Sequence, residues 1–150
     1  MKNNTVFAAL VTVFAIILSG CVAAVPMAST QADAEAKKME VPAGKAVIYV
    51  ISYGGSAPFG NNWVNQITVN RENRGALAYK TYQVYTVDPG PVSVLASPGA
   101  TQAVVKLTAA AGKAHFVQVK SLAFGRVGAE QIDESTARPL LQQCALAESL

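Results

Sequence analysis

Short runs of apolar and β-branched residues recur along most of this chain at intervals of about ten residues, each bounded by Gly, Pro or Asn. The connections between consecutive runs are too short for a helical crossover, which favours antiparallel pairing. We therefore expect an all-β fold, an antiparallel β-sandwich of about seven strands with a short C-terminal helix. The predicted strands are Ala46–Tyr53, Trp63–Val69, Ala76–Tyr79, Tyr82–Val87, Val92–Ala96, Ala103–Thr108 and Ala114–Lys120.

Details of the pattern predict where these strands lie and how they are joined. Ala46–Tyr53 is apolar on both faces, so it should be a central strand that is covered on both sides. Asn70–Gly75 is predicted to be a hairpin loop in which Gly75 supplies a left-handed backbone. Asp88–Gly90 is a predicted turn, with proline fixing φ and glycine tolerating a positive φ. In the last segment, Asp133–Ser135 followed by Pro139–Leu146 is predicted to be one short amphipathic helix that starts in the turn before Pro139, with a buried stripe of Leu140, Leu141 and Cys144.

The N-terminus has a different pattern. An apolar run of about 13 residues, Val6–Leu18, follows Lys2, which suits a secretory signal and is too short to span a bilayer. The run ends in Leu18-Ser19-Gly20-Cys21, an order that resembles the lipobox of bacterial lipoproteins. The alternative is an uncleaved signal anchor, because apolar residues resume directly after Cys21.

The lipobox resemblance implies that a peptidase removes residues 1–20 and that Cys21 carries lipid on its sulfur. Residues 21–43 are Ala-rich with scattered charges and no large aromatic residue, so we expect a flexible tether there. Residues 44–150 would form the β-sandwich domain. The Val at position 22, by resemblance to lipoprotein sorting in enterobacteria, implies the outer membrane, with the domain expected on the periplasmic face.

Charge and composition exclude some partners. The formal net charge is +3 and includes Lys2, and the remaining cations are scattered, so no nucleic-acid partner is expected. Arg71 and Arg74, at the predicted hairpin tip, are either solvated turn charges or contacts for an anionic lipid or glycan. If Cys21 is lipidated, Cys144 has no cysteine left to pair with.

Residues that could carry chemistry are few. His115 is the only histidine, and its alternation with Val117 and Val119 favours a packed strand residue. A Cys144–His115 pair could serve as nucleophile and base, but Cys144 lies on the apolar stripe of a predicted helix. One histidine and one free cysteine do not make a zinc site, and no nucleotide-binding motif occurs. We therefore expect no catalytic residues, no metal and no cofactor.

The stretch from Gly54 to Trp63 is the predicted connection with the strongest functional character. It is long and Gly-rich, and it carries Phe59 and Trp63, so it is a candidate binding loop on a sheet scaffold. The alternative is that both aromatic side chains close the edge of the core.

Several short stretches of the domain carry a family resemblance: Ala46–Val50, Gly75–Leu77, Lys80–Tyr82, Asp88–Gly90 and Gly112–Val117. With these residues the domain resembles DUF2846, a family of bacterial lipoproteins with no settled function. Ser52 and Pro91 depart from the family pattern, and the matching positions are mostly turn and packing residues, so the resemblance implies a fold more than an activity.

Together these features predict a lipid-anchored envelope lipoprotein that acts as a non-catalytic binding or structural module. It would contact the membrane through its lipid and a protein partner of the cell envelope through its surface. One alternative is a lipoprotein subunit of a larger envelope or secretion complex. The other is an envelope hydrolase, which would need convergent acids or a His–Cys pair in a cleft.

Overall fold

The computed structural model of the chain describes residues 25–55 and 64–150. Two sheets stack face to face, and two short helices cover the outer face of one of them. The helices are α1 (Thr30–Ala36) and α2 (Glu134–Gln142), and a single 3₁₀ turn covers Ala123–Gly125. The strands are β1 (Ala46–Gly55), β2 (Asn65–Val69), β3 (Glu72–Leu77), β4 (Thr81–Val87), β5 (Gly90–Ser97), β6 (Ala103–Ala109), β7 (Ala114–Ser121), β8 (Val127–Ile132) and β9 (Ala145–Leu146).

The first sheet has five strands in the order β8-β7-β1-β4-β9, and the second has four in the order β3-β2-β5-β6. Strand β1 is central, as its apolar pattern predicted. Its residues Ile48 and Val50 point into the core between the sheets, whereas Val47, Tyr49 and Ile51 point towards the helices. Both faces of β1 are thus buried by different layers, which explains why the strand lacks a polar face.

The prediction of a purely antiparallel sandwich is wrong. The four-stranded sheet is antiparallel throughout, but β1 pairs with β7 in parallel, and so does β4 with β9. Short connections impose antiparallel order only on strands that follow each other in the chain. Between β1 and β7 the chain forms β2 and β3 in the second sheet, β4 in the first sheet, and β5 and β6 in the second sheet again. This connection is long enough to allow parallel pairing of β1 with β7.

The hairpin between β2 and β3 is tighter than the predicted Asn70–Gly75 loop. Asn70 and Arg71 form a two-residue turn, with φ of 50° and 71°, and Val69 already pairs with Glu72. Positive φ at both residues is the geometry of a type I′ turn, which asparagine tolerates well. Gly75 has a φ of 99° but lies inside β3, opposite the irregular register of β2.

The C-terminal helix begins, as predicted, in the turn before Pro139, and it ends at Gln142, before the predicted Leu146. The carboxylate of Asp133 accepts a hydrogen bond from the backbone N–H of Thr136 at 2.7 Å, so α2 starts at Glu134 and Pro139 lies inside it. This capping bond satisfies a free N–H of the first turn, which offsets the bond that Pro139 cannot donate. Ala137 and Leu141 are buried in the helix, Leu140 is half-buried, and Cys144 is buried just beyond the helix end.

Part of the segment interpreted as a flexible tether is folded onto the domain. Val25 is 8% exposed and belongs to the core between the sheets, and Met27 pairs with Ala147. Helix α1 follows, capped by the side chain of Ser29, which accepts from Ala32 N. The ordered domain therefore includes residues from Val25 onwards and not only from residue 44.

Candidate functional site

The predicted site residues Cys21, Phe59 and Trp63 lie outside the described residues. The structure does describe the two positions that flank the candidate loop, Gly55 and Val64. Both lie at the same end of the sandwich, where β1 and β7 end and β4 begins. We call this the distal end; its described connections are Ala78–Lys80, Pro98–Gln102 and Leu122–Arg126.

The loop leaves the sheet through two glycines that the geometry requires. Gly54 and Gly55 have φ values of 83° and 122°, in the left-handed region that other residues rarely adopt. A Cβ atom on Gly55 would lie 1.8 Å from the carbonyl oxygen of Ser121, well inside the contact distance of two atoms. A larger residue here would push β1 away from β7 and change where the loop begins.

Aromatic and amide side chains surround the base of the loop. The rings of Tyr53 and Tyr79 stack with their centroids 5.7 Å apart, and the Tyr53 hydroxyl donates to Gln143 Oε1 at 2.6 Å. The Gln118 amide donates to the Tyr53 carbonyl at 2.9 Å. These contacts fix the end of β1, so the candidate loop starts from a rigid support, as binding loops commonly do.

Asn65, the first residue of β2, is an unusual feature of this region. Its side chain is buried, with the residue 1% exposed, and neither its amide nitrogen nor its oxygen has a hydrogen-bond partner among the described residues. Buried amides are almost always paired, because an unpaired one costs about 1–3 kcal/mol. Asn65 lies two residues after the candidate loop, so a polar side chain is buried at the base of the loop.

A second polar cluster, which the sequence analysis missed, joins α1 to the end of the chain. Asp33 accepts hydrogen bonds from Lys37 Nζ at 2.7 Å and from the Tyr82 hydroxyl and the Leu146 backbone N–H, both at 2.9 Å. Burial opposes ionisation of Asp33, but these three bonds outweigh it, and the pKa of the carboxyl lies below its ordinary value of 3.8. Lys37 also donates to the Cys144 carbonyl at 2.9 Å. The spacing of Asp33 and Lys37 on one helix face was the available signal.

His115 and Cys144 have structural roles. The Nε2 atom of His115 accepts from the backbone N–H of Ala110 at 3.0 Å, and burial lowers the pKa of the imidazole. Cys144 is 4% exposed, and burial raises the pKa of its thiol to about 11, so little thiolate forms near neutral pH. The predicted half-buried position of His115 and the predicted burial of Cys144 are confirmed.

A groove of about 340 Å³ lies at the opposite end of the sandwich from the candidate loop. Its walls come from the turn between β4 and β5 and from the hairpin of β2 and β3, and they carry charge of both signs. An ion pair joins Lys45 and Asp88 at 2.6 Å, and a second joins Arg74 and Glu72. The Lys45–Asp88 pair is exposed to solvent, whereas Arg74 is half-buried in the groove wall.

Two further observations bear on metals and membranes. Within the described ranges, no group of three or more His, Cys, Asp or Glu side chains converges in a way that could hold a metal ion. In the same part of the chain, neither helix has the length and apolar character that crossing a bilayer requires.

Comparison with protein-family models finds none that matches this chain, and comparison with curated proteins finds no match either. The resemblance to DUF2846 therefore stays a prediction.

Proposed function

We propose that this chain is a bacterial lipoprotein, acylated on Cys21, whose β domain serves as a non-catalytic binding or structural module at the periplasmic face of the outer membrane. The observation that carries the proposal is the order Leu18-Ser19-Gly20-Cys21 at the end of a short apolar run. Only a cysteine can supply the thiolate that forms the thioether to lipid. Two or more acyl chains on such a cysteine would hold the domain stably at a bilayer.

The non-catalytic assignment is supported by the roles of the chain's two most reactive side-chain types. The imidazole of His115 is occupied by a backbone N–H, and the thiol of Cys144 is buried under α2 with a raised pKa. A nucleophile needs an adjacent base and an accessible path to substrate. The carboxylate of Asp133 is already bonded to the backbone of α2, in a capping role.

The surface assigned to a partner is the distal end, at the loop that carries Phe59 and Trp63. Two observations support this assignment. Tyr53 and Tyr79 form a rigid base for the loop, and the side chain of Phe124 is 95% exposed at the same end. Exposed aromatic side chains are enriched at protein interfaces. The same feature favours the second candidate function, a subunit of a larger envelope or secretion complex that docks through this end.

Metabolic labelling with radioactive palmitate tests the anchor. The full-length chain should incorporate label and sediment with membranes, whereas Cys21→Ser should incorporate none and keep residues 1–20. Cys144→Ser is the matched control and should label like the wild type, because Cys144 is buried in the domain. Label that persists in Cys21→Ser would refute acylation at this position.

A further inference from the structure

The position at which the N-terminal segment joins the domain determines which end of the sandwich faces an anchoring membrane. Met27 pairs antiparallel with Ala147, and Glu148 N donates to the Pro26 carbonyl at 2.9 Å. Strand β9 runs parallel to β4, so the chain traced backwards from Met27 to Val25 moves towards the end of β4. This is the end that carries Val87, opposite the candidate loop.

We call the end that receives the chain the proximal end. Strands β1 and β7 begin there, and β4 and β6 finish there. Three tight connections project from it, and the segment before β1 lies against one of them, because Gly112 N donates to the Lys45 carbonyl at 2.7 Å. The connections are Asn70–Arg71, Asp88–Gly90 and Ala110–Lys113.

The chain between the predicted acylation site and the domain is short. Four peptide units separate Cys21 from Val25, which is already buried in the core. Fully extended, four residues span at most about 14 Å. Strand β1 alone, with ten residues, is about 30 Å long. Because this reach is less than half of that length, a lipid on Cys21 keeps the bilayer near Val25, and the chain before Met27 runs towards the proximal end.

The charges at the proximal end suit a phosphate-bearing surface. Arg71 and Lys113 are exposed at two turn tips, and neither forms an ion pair with another described residue. Lys45 is in an exposed pair with Asp88, which solvent weakens, and the half-buried Arg74 is paired with Glu72. Basic residues held close to a bilayer are attracted by anionic headgroups.

We infer that the proximal end of the domain rests on the phospholipid headgroups of the membrane that anchors Cys21, with Arg71 and Lys113 facing lipid phosphates. This inference rests on the proposed acylation of Cys21 and adds an orientation to it. The distal end, with the candidate loop and Phe124, then faces away from the bilayer. A protein partner would bind the domain at this distal end, about one strand length from the bilayer.

Depth-dependent quenching tests the orientation with the acylated full-length protein. Lys113→Cys and Gln102→Cys each place a thiol on an exposed tight connection, the first at the proximal end and the second at the distal end. A fluorophore on each reports its distance from headgroup-labelled quencher lipid in vesicles of phosphatidylethanolamine and phosphatidylglycerol. The buried thiol of Cys144 and the acylated Cys21 should not react with the fluorophore. The mass of the purified protein first establishes whether Cys21 carries lipid.

The expected result is that the probe at position 113 loses most of its emission while the probe at position 102 loses little. Insertion of a long Gly-Ser segment between Ala24 and Val25 should abolish this difference, because the domain could then turn and move away. Equal quenching at both positions, stronger quenching at 102, or none at either in protein with acylated Cys21 would overturn the orientation. A mass without lipid on Cys21 would instead refute the proposed function, and the orientation with it.

Discussion

Replacement of Asp33 by Ala should loosen α1 from the sheet and destabilise the domain. Loss of the carboxylate leaves the Leu146 backbone N–H without its acceptor at 2.9 Å. Tyr82 keeps only a longer bond to the Asp33 carbonyl at 3.3 Å, while Lys37 keeps its bond to Cys144. One buried donor left unpaired and one weakened bond cost about 2 kcal/mol together. For a domain of this size, that lowers the melting temperature by roughly 8 °C.

Thermal unfolding followed by circular dichroism, on the chain from residue 22 onwards, measures this difference. The matched control is Glu35→Ala, which removes an acid from the same helix. Its ion pair with Lys38 is exposed, so the change should stay within about 0.5 kcal/mol. Equal shifts for the two variants would refute the conclusion that Asp33 holds α1 in place.

The same pair of variants has a defined pH dependence. The folded-state pKa of Asp33 is lower than the unfolded value, so its stabilising contribution is present above about pH 4 and is lost as the pH falls through the folded pKa. The difference in stability between wild type and Asp33→Ala should therefore be constant near neutral pH and shrink in acid. A difference that grows in acid would mean that the sign of the shift is wrong.

Three further predictions follow from the structure. Cys144 should resist thiol reagents in the folded protein and react readily in denaturant, because burial raises its pKa to about 11; rapid labelling of the native state would contradict this. Gly55→Ala should destabilise the domain by about 2 kcal/mol or more in a denaturant titration, because the new Cβ clashes with the Ser121 carbonyl oxygen and the residue keeps a positive φ. Gly112→Ala should destabilise it less, because its Cβ would point into open space and only the positive φ is unfavourable. Replacing both Phe59 and Trp63 with Ala should leave the melting temperature almost unchanged but abolish crosslinking to a partner in cells, and unfolding of the variant would show that the two side chains belong to the core.

The sequence predicted the strands best where the apolar pattern was strong. Six strands lie close to their predicted positions, β3 begins four residues before its predicted start at Ala76, and the two strands that were missed have weak patterns. Strand β8 is an edge strand that contains Gly128 and exposed Glu130, and β9 is only two residues long. Alternation indicates a half-buried strand, so it fails where a strand is short or mostly exposed.

The parallel pairing and the docking of α1 were also not predicted, and the reason is different for these two features. The pairing of β1 with β7 depends on a partner far along the chain, which local patterns do not report. Helix α1 has no buried residue and is held by the bonds of Asp33 and by the Tyr49 hydroxyl, which donates to the Ala36 carbonyl at 2.7 Å. A search for an apolar stripe therefore finds nothing there.

The candidate functional residues were predicted from the chemistry of their side chains and not from the hydrophobic pattern of the chain. His115 and Cys144 could be assigned structural roles because their neighbours in the sequence were apolar, and in the structure Cys144 is buried and His115 is half-buried. Cys21, Phe59 and Trp63 lie outside the described residues, so their roles remain predictions. The structure describes the residues next to them: Val25, four positions after Cys21, belongs to the core, and Gly55 and Val64, which flank the loop, lie at the distal end.

The mass of the N-terminal peptide from protein purified out of membranes tests the central claim most directly. Lipid attachment at the lipobox predicts a peptide that begins at Cys21, lacks residues 1–20, and carries the added mass of a diacylglyceryl group, with or without a further acyl chain on the amine. A peptide that begins at Met1, or one that begins at Cys21 with a free thiol, would contradict the account.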